Sequence, residues 1–235
     1  MRILVFVAHP DDEVLGMGGT ILKHTENKDW IKVVYLATGI TSRRSLNYQN
    51  LPSYNFEKNS SKQIENEIND LRKDALKSCK ILKVNDHEFY DFPDNEMDSI
   101  PLLKIVKVIE KEIKITKPDR IYTHHFNDLN IDHRVVYNAV LTATRPINTS
   151  VKELISFEVP SSTEWNYPQN FNPNYFVKIK SQLNRKLKAM ESYRNEIRDF
   201  PHPRSIENLK NVAYRWGSIS GTDAAEAFEI IRKIE

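Results

Sequence analysis

Cysteine is almost missing from this chain of 235 residues: Cys79 is the only one, so no intrachain disulfide can brace the fold. Six glycines and eleven prolines are too few for a collagen-like or low-complexity chain. No apolar run approaches the roughly 18–20 residues of a membrane span. The opening MRILVFVA is apolar for about six residues, short of the roughly 7–15 of a signal-peptide core, and HPDDE follows at once. No block of Lys or Arg appears, and a formal net charge of +2 is too mild to imply nucleic acid. The expectation is a soluble, cytoplasmic protein with a small-molecule partner, no nucleic acid and no membrane span.

Several catalytic signatures are absent too. No G-x-G-x-x-G follows the first apolar run, and HExxH, G-x-S-x-G and Walker A sequences are missing. Asp128-Leu129-Asn130-Ile131-Asp132 imitates the start of an EF-hand loop. The sixth and twelfth positions, however, hold His133 and Ala139 instead of glycine and glutamate, which excludes calcium of that kind. Cys79 falls within a helical pattern, which suits the core better than a nucleophile.

What is present alternates. Hydrophobic residues make up 40% and charged residues 28%, enough for one sizeable core and too short a chain for two. Residues 3–8 read as a strand buried on both faces, and 31–37 as a second strand. Helices are expected near 11–22, 62–82, 99–116 and 132–144, the third with a stripe of Ile100, Leu103, Val106, Ile109 and Ile113. HEFYD at 87–91, 119–124, 153–159 and 175–179 read as further strands, and the tail from 181 as helices. Residues 39–61 are polar and aperiodic, a loop long enough to suggest function. Strands alternating with helices argue for a parallel sheet covered on both faces.

In such sheets ligands collect at the carboxyl ends of strands. Two of those ends are unusual here: His9-Pro10-Asp11-Asp12-Glu13, and THHFNDLNIDH from Thr123 to His133. Acids after a strand suit the first turn of a helix, and a histidine beside them suits the surface. Imidazoles and carboxylates from neighbouring strand ends also suit a shared cation, and His with Asp suits zinc.

The stretch AHPDDEVLGMGGT resembles the signature of the PIG-L/LmbE-like family of zinc-dependent N-acetyl-sugar deacetylases. The likeness continues through TGITSR, Leu71–Ala75, FPDNEMD, KPDRIYTHHFNDLNIDH and PHPRS. It implies a single α/β domain over residues 1–235, Rossmann-like, with a mostly parallel sheet and helices on both faces. It also implies removal of an acetyl group from an N-acetylglucosamine-type conjugate and, as in some relatives, assembly into a homo-oligomer.

Carried over residue by residue, the resemblance implies that His9, Asp12 and His133 hold Zn2+, that Asp11 is the general base, and that Asp132 supports the ligands from behind. Where the family often has a histidine three positions before its last ligand, this chain has Asn130, which can donate a hydrogen bond but cannot shuttle a proton. His124, His125 and His202 are candidates for the vacant role, and His125, Asn130 and His202 compete to donate to the oxyanion. Arg43 and Arg44 suit a substrate phosphate or carboxylate, or equally a solvated loop. Two alternatives keep the same site: an amidase acting on a thiol or sugar conjugate, and a non-catalytic sugar- or nucleotide-binding protein.

Overall fold

The computed structural model describes residues 1–40, 58–147 and 149–235, and one seven-stranded sheet organises them. In chain order the elements are β1 (Arg2–Val7), α1 (Asp12–Glu26), β2 (Trp30–Ala37), α2 (Lys58–Leu82), β3 (Asp86–Phe92), α3 (Leu102–Thr116), β4 (Arg120–His124), α4 (Ile131–Ala143), β5 (Glu153–Phe157), β6 (Tyr175–Lys178), α5 (Leu183–Met190), α6 (Ile206–Ser220) and β7 (Ala225–Lys233). The sheet order is β3-β2-β1-β4-β5-β7-β6, with β1 to β5 parallel and β7 antiparallel to both of its neighbours.

The period of two along β1 sorts the core into two layers. Ile3, Val5 and Val7 pack toward α1, α2 and α5, while Leu4, Phe6 and Ala8 pack toward α3 and α4. All six are fully buried, as a central parallel strand requires. The chain leaves β1 for β2 on one side and returns to β4 on the other. The crevice between β1 and β4 is therefore the topological switch point, where α/β sheets bind ligands.

The sequence MGG lies where α1 breaks. Met17 has φ −147° and ψ 22°, and the freed N–H groups of Gly19 and Thr20 donate to the Glu226 carboxylate at 2.9 and 2.6 Å. Lys186 holds the other side of the break, donating to the Leu15 carbonyl at 3.0 Å and to Glu226 at 2.6 Å. A side chain at Gly16 would start 2.3 Å from the Phe157 ring, so only glycine lets α1 lie this close to β5.

Two sequence expectations are corrected. The tail is not wholly helical: Ala225–Lys233 is β7, inserted between β5 and β6. Its alanines and glutamates favour helix in isolation, and the pairing with β5 and β6 overrides that preference. The third helix begins at Leu102, after Pro101, and Leu103 is 64% exposed instead of on the buried stripe. Cys79 is buried beside Tyr35, and burial pushes its thiol up to about 12, so it is no nucleophile.

Candidate metal centre and active site

β1 delivers the chain into a tight turn, Ala8 to Asp11, before α1 begins. The His9 N–H donates to Asp12 Oδ2 at 2.8 Å, and the Asp11 carbonyl accepts from Val14 and Leu15 at 3.1 and 2.9 Å. Asp11 caps α1 with φ 113°. That value is strained for any residue with a Cβ, at a cost of about 1–3 kcal/mol, and such strain concentrates at functional sites. At the neighbouring strand end, β4 supplies His124, and the following loop leads into α4, where His133 sits in the first turn.

The two motifs converge. His9 Nδ1 and His133 Nε2 lie 3.5 and 3.4 Å from Asp12 Oδ2. Two ligands bound tetrahedrally at about 2.0–2.1 Å sit about 3.3–3.4 Å apart, so this spacing suits one small cation. His9, Asp12 and His133 each offer a ligand atom, and these atoms all lie within 4.8 Å of one another. Among the described residues, Asp12 Oδ1 is buried with no hydrogen-bond partner, which is costly unless a cation meets it.

The far side of each imidazole is also held. His9 Nε2 lies 3.0 Å from both Asp94 Oδ1 and Asp132 Oδ2, and His133 Nδ1 lies 3.2 Å from Asp128 Oδ1. Carboxylates behind a histidine fix its tautomer and turn the opposite nitrogen toward a metal. Asp132 is anchored in turn by the N–H groups of Asn95 and Met97 at 2.6 and 3.0 Å. Asp128 accepts from Ser162 and from Thr163, the latter at 2.7 Å. His9, Asp94 and Asp132 form a second acid-rich group, in which backbone N–H groups hold both oxygens of Asp132 in place, as suits a support for His9.

The electrostatics agree. Burial alone would lower both histidines. The carboxylates outweigh it, raising His9 well above its ordinary value and His133 to about 9. Burial likewise works to raise Asp12, and the surrounding imidazoles, His133 first, hold it well below the usual carboxylate range. Four buried aspartates around two imidazoles make a site that calls for positive charge. The donor set of imidazole and carboxylate fits zinc or a similar divalent ion.

Asp11 is 2% exposed, and burial raises its carboxyl well above the usual range; Arg204 opposes that shift. Arg204 donates from Nη1 to Asp11 Oδ2 at 3.0 Å and to Glu196 at 3.1 Å, and from Nε to Ser161 Oγ at 2.7 Å. Sequence reasoning did not single out Arg204, although it stands in the PHPRS segment. His202, two residues earlier, is half-buried, packs edge-on against Trp165 at 5.6 Å, and accepts the Arg204 N–H on Nδ1 at 3.1 Å. Burial and the guanidiniums of Arg204 and Arg198 lower its pKa.

Two candidates for the vacant histidine role, His125 and His124, and Asn130, which stands in its place, are each engaged elsewhere. His125 is fully buried against Phe126 and Phe171 and faces Glu229 at 3.0 Å. His124 is fully buried, and its Nε2 accepts the Ala8 N–H at 2.8 Å while its ring stacks on His133 at 3.9 Å. Burial, with His133 beside it, pushes its pKa down to about 3, which suits a neutral ring that accepts the Ala8 N–H rather than a proton donor. Asn130 is the N-cap of α4: its Oδ1 accepts from Asp132 N at 2.8 Å and its Nδ2 donates to Asn95 at 2.9 Å.

Asn130→Ala is therefore expected to cost about 1 kcal/mol in urea unfolding while kcat/KM stays within a few-fold of wild type. A hundredfold loss at unchanged stability would return Asn130 to the catalytic set. Arg43 and Arg44 lie outside the described residues.

The sequence model for the family described as PIG-L, GlcNAc-PI de-N-acetylase, matches residues 4–144. The chain is 26% identical over 199 residues to the uncharacterized deacetylase YaiS of Escherichia coli (strain K12), covering 82% of this chain and 90% of that protein. It is 27% identical over 241 residues to the diacetylchitobiose deacetylase of Thermococcus kodakarensis, covering 98% and 83%. In structure it resembles the conserved protein TT1542 from Thermus thermophilus, with a TM-score of 0.75 and 19% identity over 99% of this chain and 96% of that one.

Proposed function

Because this chain belongs to the PIG-L, or GlcNAc-PI de-N-acetylase, family, we propose that it is a metal-dependent deacetylase that removes an acetyl group from an N-acetylglucosamine-type conjugate. One observation carries the reading. Both imidazoles are backed by carboxylates, and their opposite nitrogens meet Asp12 at 3.5 and 3.4 Å, spaced for a single ion. Zinc is the proposed ion, with His9, Asp12 and His133 as its ligands. The 27% identity to a diacetylchitobiose deacetylase supports the substrate class.

Amide hydrolysis needs a nucleophile, charge stabilisation at the carbonyl oxygen and a proton for the departing amine. Zinc held by His9, Asp12 and His133 would supply Lewis acidity, which makes water a usable nucleophile near neutral pH. Asp11 takes the proton of the attacking water and is the general base. Arg204 pins Asp11 Oδ2 at 3.0 Å, which limits rotation of the carboxylate and favours its ionised form. Asp132 and Asp94 keep His9 turned toward the cluster, and Asp128 does the same for His133. His202 is the remaining candidate to donate to the oxyanion or to the leaving amine, because its Nδ1 is occupied by Arg204 and its ring is half-buried rather than enclosed.

The expected result is about one equivalent of divalent metal in protein purified without chelator. Acetate release from N,N'-diacetylchitobiose should stop on chelation and return with zinc. Metal-free protein that neither takes up zinc nor releases acetate would overturn the proposal. No helix among the described residues is long and apolar enough to cross a membrane.

A further inference from the structure

Of the three consecutive acids after Pro10, the proposed chemistry uses Asp11 and Asp12 and leaves Glu13 without a part. Glu13 is fully buried, yet its carboxylate accepts hydrogen bonds from three separate segments. The Asp11 N–H reaches Oε2 at 3.1 Å; Ser78 Oγ of α2 and the Tyr193 hydroxyl beyond α5 reach Oε1 at 3.0 and 2.6 Å. A cap of α1 alone would need only the first of these. Ser78 and Tyr193 are themselves fully buried, so their hydroxyls hold the carboxylate in one place. The backbone it reaches is the strained one: Asp11, at φ 113°, is not a conformation that a residue with a side chain keeps unaided.

We propose that Glu13 is a positioning residue, locked by Ser78 and Tyr193, that clamps the Asp11 N–H and so fixes the backbone from which the Asp11 carboxylate acts. The inference rests on the reading of Asp11 as the general base. The device ties α2 and the segment after α5 to the catalytic turn, so two elements that contribute no ligand set the aim of the base.

The test removes the lock and leaves Glu13 in place, because an apolar residue at 13 would strand three buried donors. In Tyr193→Phe and in Ser78→Ala, kcat should fall about 10- to 100-fold, as a small misplacement of a catalytic group does. KM and one equivalent of zinc should be retained, and the Asp11 amide should exchange its hydrogen faster than in wild type. In an Asp11→Asn parent the same Tyr193→Phe change should leave the residual turnover unaltered, since a base that is gone cannot be misplaced. An equal loss in both parents would overturn the clamp, as would unchanged kcat and exchange in both single variants. Loss of zinc together with turnover would also overturn it, by showing a general collapse of the site. Near-normal turnover in the Asp11→Asn parent itself would instead remove Asp11 as the base, and the clamp would fall with that reading.

Discussion

Replacing His133 by alanine is expected to strip the metal and take turnover to background, the largest single effect this site allows. The imidazole stands between two carboxylates, with Asp12 Oδ2 3.4 Å from Nε2 and Asp128 Oδ1 3.2 Å from Nδ1. Removing it deletes one of the three proposed ligands and takes that imidazole from both buried acids. Breaking a buried ion pair from one side costs about 3–5 kcal/mol. Two measurements separate the consequences. Metal analysis should find less than a tenth of an equivalent, and unfolding of the metal-free variant should show a midpoint below that of metal-free wild type. A full equivalent of zinc in His133→Ala would exclude His133 as a ligand, whatever happens to the rate.

The position of that proposed ligand stands out in the sequence, and the reason is local. A run of β-branched residues ending in His9-Pro10-Asp11-Asp12-Glu13 breaks the strand pattern at a carboxyl end, where packing has no use for acids. The second motif, ending in Asp132-His133, breaks another strand in the same way. Parallel topology then requires both ends to face one edge of the sheet, and the switch point between β1 and β4 brings them together.

The supports are less legible because they depend on contacts between distant segments. Asp94 looks like a turn residue, Asp128 like half of a calcium loop and Arg204 like a surface arginine. Only the folded chain shows them touching His9, His133 and Asp11. Histidine invites too generous a reading: His124 ends β4 and His125 follows it, yet the first accepts the Ala8 N–H and the second is enclosed by Phe126 and Phe171. The strand β7 is hidden because its alanines and glutamates carry a helical preference that only its two neighbours overrule.

The second large effect isolates the base from the metal. Asp11→Asn is expected to lower kcat about 10²- to 10⁴-fold, the usual contribution of a positioned general base. KM should stay within a few-fold, and one equivalent of zinc should be retained. The substitution is close to isosteric, and asparagine tolerates positive φ better than most residues, so the turn at φ 113° survives. The amide oxygen can still accept from Arg204, and Glu196 remains 3.1 Å from the same guanidinium nitrogen, so the cation is not stranded. What the amide lacks is a lone pair basic enough to take a proton from water. The outcome therefore distinguishes a residue that binds from one that reacts. Wild-type metal content with a collapsed kcat places Asp11 in the chemistry. Retained turnover would move the proton to another acceptor, and Glu196, the other carboxylate on Arg204, would be the first to substitute next.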